Sequence, residues 1–159
     1  MSNANPWLVT CLNILGWPVI HLTWGYLFTR MPSAWFERVA KGAWLMPFET
    51  GDAFWARVGV RRWKSYLPDG ATWFGGFAKK SLRSTNRAYL RAFLVETYRS
   101  ELSHWAMLLS GAVFIAWNPP WAIAVMVAFG ALTNLPPILV QRYNRFRLLG
   151  CFQKMERSA

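Results

Sequence analysis

Acid is scarce in this chain of 159 residues: seven Asp and Glu stand against 18 Lys and Arg, for a formal charge of +11. Histidine and cysteine are scarcer still, with two of each. Cys11 and Cys151 fall in no CxxC or Cys/His spacing, which excludes a disulfide scaffold and reads as two unpaired thiols. His21 and His104 are too few to build a protein-held zinc site, so no metal and no bound cofactor is expected. Charged residues make up 16% of the chain, against about a quarter in soluble domains. No GxSxG, Walker loop, GxGxxG or HxxxxD pattern occurs. Several soluble enzyme classes and the common lipid-acyltransferase motif are thereby set aside.

What is present is apolar. Hydrophobic residues reach 54%, eleven residues are Trp, and mean hydropathy is +0.15. That much hydrophobicity excludes a disordered chain. Leu8 to Thr29 carries no charge over 22 residues, enough for a hydrocarbon core that needs about 20. Trp7, Trp24 and Tyr26 flank it as interfacial aromatics do. No basic residue precedes it and no small-residue cleavage site follows, so it is not expected to be a signal peptide. Gly16 and Pro18 predict a kink. A second uncharged stretch, Trp105 to Gln141, has 37 residues, with the turn signal Asn118-Pro119-Pro120 near its middle. It predicts a helical hairpin that is either re-entrant or drawn from a span beginning earlier, which would carry Glu101 and His104 into the membrane.

The expected architecture is an all-α integral membrane protein with about three transmembrane helices in a single domain. Span one is 8–29, span two 99–117 and span three 121–141. Residues 30–98 form an interfacial segment and 142–159 a tail. All 18 basic residues fall in 30–104 and 142–159. The excess of Lys and Arg in cytoplasmic loops then puts both segments inside and the N-terminus outside, in a bacterial cell membrane. Between spans, Trp35, Phe36, Arg38, Trp44, Phe54, Trp55, Arg57, Arg61, Arg62, Trp63 and Lys64 interleave rings with cations. The pattern predicts short helices with rings inward and cations toward lipid phosphate. Residues 70–86 read as a loop and Arg87 as the start of the helix leading into span two.

Polar residues concentrate at Glu96–Trp105. On a helix Glu96, Ser100 and His104 share a face, with Glu101 within reach of His104. A carboxylate beside an imidazole is the pattern of a general base; the alternative is a purely structural pair of ion contacts. Counting outward from the turn, Asn134 comes level with His104, and Arg142 with Glu96. Pro136 and Pro137 are expected to break or kink span three. Gln141, Arg142, Tyr143, Asn144 and Arg145 then join the same site, or serve only as a basic flank. Glu49 and Asp52 are a weaker acidic pair. Lys64 and Asp69 flank the turn in WKSYLPDG. Asn13 and His21 share a face of span one and are expected to bond neighbouring helices rather than catalyse.

Three runs in this order, VRRWKSYLPDG at 60–70, ETYRSELSHW at 96–105 and NLPPILVQRYNRFRL at 134–148, resemble the glycosyl-4,4'-diaponeurosporenoate acyltransferase family of staphyloxanthin biosynthesis. Phe146 stands where that family's motif has Pro. The resemblance implies transfer of a fatty acyl group to a sugar hydroxyl of a glycosylated carotenoid or similar glycolipid. It agrees with a bottom-up mechanism in which His104, oriented by Glu101 or Glu96, is the base. Asn134 or Asn144 would donate to the oxyanion. Arg142 and Arg145 would hold the phosphates of an acyl-CoA or acyl-carrier-protein donor, and Glu49 and Lys64 would assist binding. Expected partners are membrane lipid, the glycolipid acceptor and the acyl donor. A rival reading is a non-enzymatic scaffold that recruits pathway enzymes to anionic lipid. Nucleic acid is not expected, because charge is its only support.

The orientation is testable. A fluorescent protein fused after Ala159 should fluoresce and an alkaline phosphatase fused there should stay inactive; the opposite pattern would reverse the assignment.

Overall fold

The computed structural model describes residues 5–42, 45–68, 70–79 and 81–157. Trp44 and Asp69 lie outside the described residues. Helix α1 (Pro6–Arg30) starts where Asn5 accepts the Trp7 N–H at 3.0 Å, with Pro6 in the first turn, where its missing N–H costs nothing. Pro18 sits inside α1 without ending it. Pro32 and Gly42 bound α2 (Ser33–Lys41). A 3-10 turn at Pro47–Glu49 precedes α3 (Asp52–Val58). Gly59, at φ +66°, turns the chain through the left-handed region into α4 (Val60–Trp63), a conformation glycine adopts at no steric cost. After 3-10 turns at Lys64–Tyr66 and Gly70–Phe74, α5 runs Arg87–Ser110, capped by Asn86. A 3-10 segment, Gly111–Ala116, leads to the turn, and α6 runs Pro120–Arg157. No strand occurs among the described residues.

Among the described residues two helices, α1 and α6, are long and apolar enough to cross a membrane. Both leave large side chains on their surfaces: Leu8, Ile14, Leu15 and Val19 on α1, and Val125, Val127 and Leu132 on α6. A soluble core helix would bury that face; here it is left for lipid.

Span two differs from expectation. The helix expected to occupy 99–117 begins at Arg87, as the sequence suggested for the run leading into it, but stops at Ser110 and continues as a 3-10 segment. It is not among the helices apolar enough to span. Span three was expected to break or kink at Pro136-Pro137; it does not break, and α6 passes through both. Each proline removes an N–H and frees the carbonyl four residues back, on Leu132 and Thr133. Both of those residues line a cavity, where irregular backbone bonding is tolerated. The expected tail is likewise helical as far as Arg157. At 1.5 Å per residue, α6 is about 57 Å long, against a hydrocarbon core of about 30 Å.

Helices α5 and α6 pack side by side, with α1 and α2 against α5 and α4 against α6. Leu90, Phe93, Leu94, Tyr98 and Leu148 form one apolar cluster, and Trp55, Val60 and Tyr143 a second. Between α2 and α4 the interleaved run sorts largely as expected. Phe36 and Trp55 are buried, Phe54 and Trp63 half-buried, and Arg38, Arg57, Arg61 and Arg62 exposed; Trp35 is the exception, exposed with the cations. Phe146, at the position where the family motif has Pro, stacks on Trp55 at 6.1 Å.

Two devices hold α1. Asn13 bonds Asn118 in both directions at 2.8 Å and accepts from Trp117 Nε1 at 2.9 Å, tying the helix to the hairpin turn. Lower down, the Trp17 ring occupies a slot closed by two glycines. A Cβ at Gly130 would fall 2.5 Å from Trp17 Cη2 and one at Gly111 2.7 Å from it. Phe114 and Phe129 flank the ring at 5.2 and 5.6 Å, so it has nowhere to move. Gly130→Ala should therefore destabilise the protein by about 1–3 kcal/mol through overpacking, read as a lower unfolding temperature in detergent. Adding Trp17→Phe should recover part of the loss; no recovery would remove the slot as the cause.

Candidate active site

A cavity of about 620 Å³ lies between α1, the Gly70–Phe74 turn, α5 and α6. Leu22, Phe28, Phe74, Met107, Phe129 and Leu132 supply apolar wall. Lys64, Lys79, Arg99, Ser100, Ser103, His104, His21 and Gln141 supply polar groups. A largely apolar cavity with a few convergent polar groups suits a ligand with a chain and a polar head.

His104 reaches this cavity from α5. Its Nδ1 lies 3.0 Å from Asn134 Oδ1. Asn134 is fully buried, and its amide nitrogen donates to Gly130 O at 2.9 Å and Thr133 Oγ1 at 3.2 Å. The amide oxygen therefore faces His104, and Nδ1 must carry the proton that it accepts. Neutral imidazole has one such proton, so the lone pair is on Nε2. The level pairing of residues 104 and 134 holds. The orienting group differs from expectation: it is an amide on α6 rather than Glu101 or Glu96. Nor is Asn134 free as an oxyanion donor, since its N–H groups are committed to its own helix. Asn144 is buried with its Nδ2 unbonded, but it does not line the cavity.

The carboxylates are used elsewhere. Glu101 accepts from Arg142 Nη1 at 2.8 Å and from Arg145 Nη2 at 2.6 Å. Arg142 also grips Glu49 with two nitrogens, Nε on Oε1 and Nη2 on Oε2, the second at 2.6 Å. Arg145 is 1% exposed and its guanidinium lies 3.5 Å from the centroid of the Tyr98 ring. Glu96 pairs with Arg99 at 2.8 Å, so Arg142 meets Glu101 and Glu49 instead of Glu96. Long side chains lean toward their own N-termini, which carries Arg142 toward the turn and Glu101 away from it until they meet.

Burial opposes the negative charge of Glu49, but bonds from Arg142 and the Met46 N–H outweigh it and hold the carboxyl below its ordinary value of 4.5. Lys64 is pushed below the ordinary lysine value by burial and by the nearby charges of Arg147 and Arg61. Tyr143 packs on Trp55 at 5.5 Å, under Lys64 Nζ at 5.4 Å from its ring. Gln141 lines the cavity with a buried Oε1 that has no bonding partner. Asp52 is exposed and separate from Glu49.

Among the cavity residues not singled out for the site from sequence are His21, Arg99, Lys79 and Ser103. His21 donates Nδ1–H to Trp17 O at 2.8 Å, which leaves its Nε2 unprotonated as well; its spacing from Asn13 gave only a shared face. Arg99 donates to Phe28 O at 2.7 Å, Met31 O at 2.6 Å and Ser33 Oγ at 2.8 Å, capping the carbonyl end of α1. The ETYRSELSHW run contains Arg99 but says nothing of that partner.

A family model described as glycosyl-4,4'-diaponeurosporenoate acyltransferase matches residues 32–154. The chain belongs to this family. A relative from Staphylococcus haemolyticus (strain JCSC1435), named glycosyl-4,4'-diaponeurosporenoate acyltransferase, is 28% identical over 145 residues, covering 89% of this chain and 84% of its own. One of the same name from Staphylococcus aureus (strain Newman) is 29% identical over 144 residues, covering 89% and 87%. No solved structure matches. The match to this acyltransferase family spans His104, Asn134 and the whole carboxylate–guanidinium network, whereas His21 lies ahead of it.

Removing one member of that network leaves a buried charge. Glu101→Ala strips Arg145 of its carboxylate and should cost about 3–5 kcal/mol. Glu49→Ala should cost less, because Arg142 keeps Glu101. A carboxyl held below its ordinary value stabilises the fold fully above 4.5, and that contribution fades as pH falls through the lower folded value. Thermal unfolding in detergent should therefore show an acid-side decline that is smaller in Glu49→Gln than in wild type.

Proposed function

We propose that this chain is a membrane acyltransferase that moves a fatty acyl group from a thioester to a sugar hydroxyl of a glycosylated carotenoid or similar glycolipid. The observation that carries the proposal is the His104–Asn134 hydrogen bond, which leaves an unprotonated Nε2 on a residue lining a mostly apolar cavity. His104 Nε2 takes the hydroxyl proton as the oxygen attacks the thioester carbonyl. A carbon–oxygen bond forms, the carbon–sulfur bond breaks, and the proton passes from His104 to the leaving thiolate. Asn134 is a positioning residue that holds the tautomer. Ser100, one turn before His104 on the same face, supplies a hydroxyl toward the oxyanion. The unpartnered Oε1 of Gln141 accepts from a sugar hydroxyl. The relatives' names and the family match support the reaction class.

The proposed setting has α1, the α5 hairpin arm and the first half of α6 in the bilayer. Helices α2 to α4 lie in the cytoplasmic headgroup layer, and the N-terminus is outside. The distribution of basic residues supports that orientation. The acceptor stays in the bilayer with its sugar at the cytoplasmic interface, where the polar side of the cavity meets it.

Purified protein in nanodiscs should acylate a glucosylated carotenoid or glucolipid. His104→Ala should lower turnover on the order of 100-fold or more, and Asn134→Leu should lower kcat while leaving KM for the acceptor near wild type. Near-normal turnover by a folded His104→Ala protein would overturn the assignment.

A further inference from the structure

Cations on the cavity wall differ in how they are occupied. Arg99 is fully engaged by two carbonyls, a hydroxyl and Glu96. Lys79 is buried and donates to Phe77 O at 2.8 Å. Lys64 lines the same cavity with its ammonium over the Tyr143 ring, and among the described residues it has no hydrogen bond and no carboxylate partner. It is half-buried. Two further cations stand beside it. Arg61 lies three residues earlier, on α4, which runs directly into the 3-10 turn that carries Lys64, and Arg147 lies one turn after Tyr143 on the face of α6 that supports Lys64. Both are close enough for their charge to act on the ammonium, both are exposed, and no ion pair holds either one among the described residues. Three like charges gathered around a half-buried amine are unfavourable by themselves. A polyanion at that point would relieve all three.

Arg142 and Arg145 are poor candidates for such an anion, contrary to the sequence expectation. Each already bonds a carboxylate, and an incoming phosphate would face Glu49 and Glu101. Spacing also favours Lys64. Tyr143, beneath Lys64, is nine residues along α6 from Asn134, beside His104, or about 14 Å at helical rise. A pantetheine arm has the length to join a phosphate at the first point to a thioester at the second.

We infer that Lys64, Arg61 and Arg147 form the phosphate site for the acyl donor, so that the donor is a thioester carried on a phosphorylated pantetheine, with its phosphate at the cavity rim and its sulfur at His104. This rests on the acyl-transfer reading above and adds the class of donor to it.

The test compares acyl-CoA with the same acyl group on pantetheine, which has no phosphate. Wild-type protein in neutral-lipid nanodiscs should prefer acyl-CoA by at least about tenfold in kcat/KM, the size expected for charged hydrogen bonds. Lys64→Gln combined with Arg147→Gln should bring the ratio near one, and Arg38→Gln, on exposed α2, should leave it. Equal use of both donors by wild type, or a ratio that survives Lys64→Gln with Arg147→Gln, would overturn the site. So would an equal loss in Arg38→Gln, which would mean diffuse attraction. Loss of the preference when phosphatidylglycerol is added would assign these cations to lipid headgroups instead. Calorimetry with CoA alone provides a readout independent of turnover. Transfer from neither donor would sink the acyltransferase reading. Even then, CoA binding weakened at least tenfold by the double substitution would sustain the phosphate site, and undiminished or absent binding would end it.

Discussion

Four charges set the form of the half of the fold that lies away from the Asn118 turn. Glu49, Arg142, Glu101 and Arg145 bond in a chain that links the turn before α3 to α6 and α6 to α5. Such charges are costly out of water and tolerable only when each is paired and hydrogen-bonded. Their pairing therefore fixes the register of α5 against α6 more narrowly than apolar side chains do, because a slip of one turn would leave a buried guanidinium facing no carboxylate. Everything near the cavity inherits that register: the His104–Asn134 bond, the position of Gln141, and Lys64 over Tyr143.

The charge network and the His104 pair are two contacts along one helix. Asn134 lies in the apolar half of α6 and Arg142 two turns on, with no break at Pro136-Pro137. A change that rotates or shifts α6 at the guanidiniums is carried to the imidazole. This separates two roles that the sequence alone had merged. The carboxylates hold the frame, and an uncharged amide sets the tautomer of the residue proposed as the base.

Much of this was legible in sequence where the signal was periodic or punctuated. Charge-free stretches marked α1 and α6, Asn118-Pro119-Pro120 marked the turn, and the start of α5 at Arg87 followed from the loop before it. Counting from the turn brought His104 level with Asn134. The same count failed for Arg142, because it ignored the lean of long side chains. The prolines left open whether the helix would break or kink, because their effect depends on what the freed carbonyls face, which only packing decides. Arg99 and His21 were opaque for a similar reason: their partners are backbone carbonyls, which every residue has and no side-chain pattern reveals.

The network also has a bearing on synthesis. Ribosomes make Glu49 and Glu101 well before Arg142 and Arg145, and Asn13 long before Asn118. During that interval the acids have no partners, and the first helix has neither its turn nor the slot for Trp17. A chain that stops short of Arg142 would be inserted yet unable to close its interior, with carboxylates exposed where a finished chain has none. Closure of the interior therefore waits on the second half of α6, and the guanidiniums that arrive with it complete the pairing.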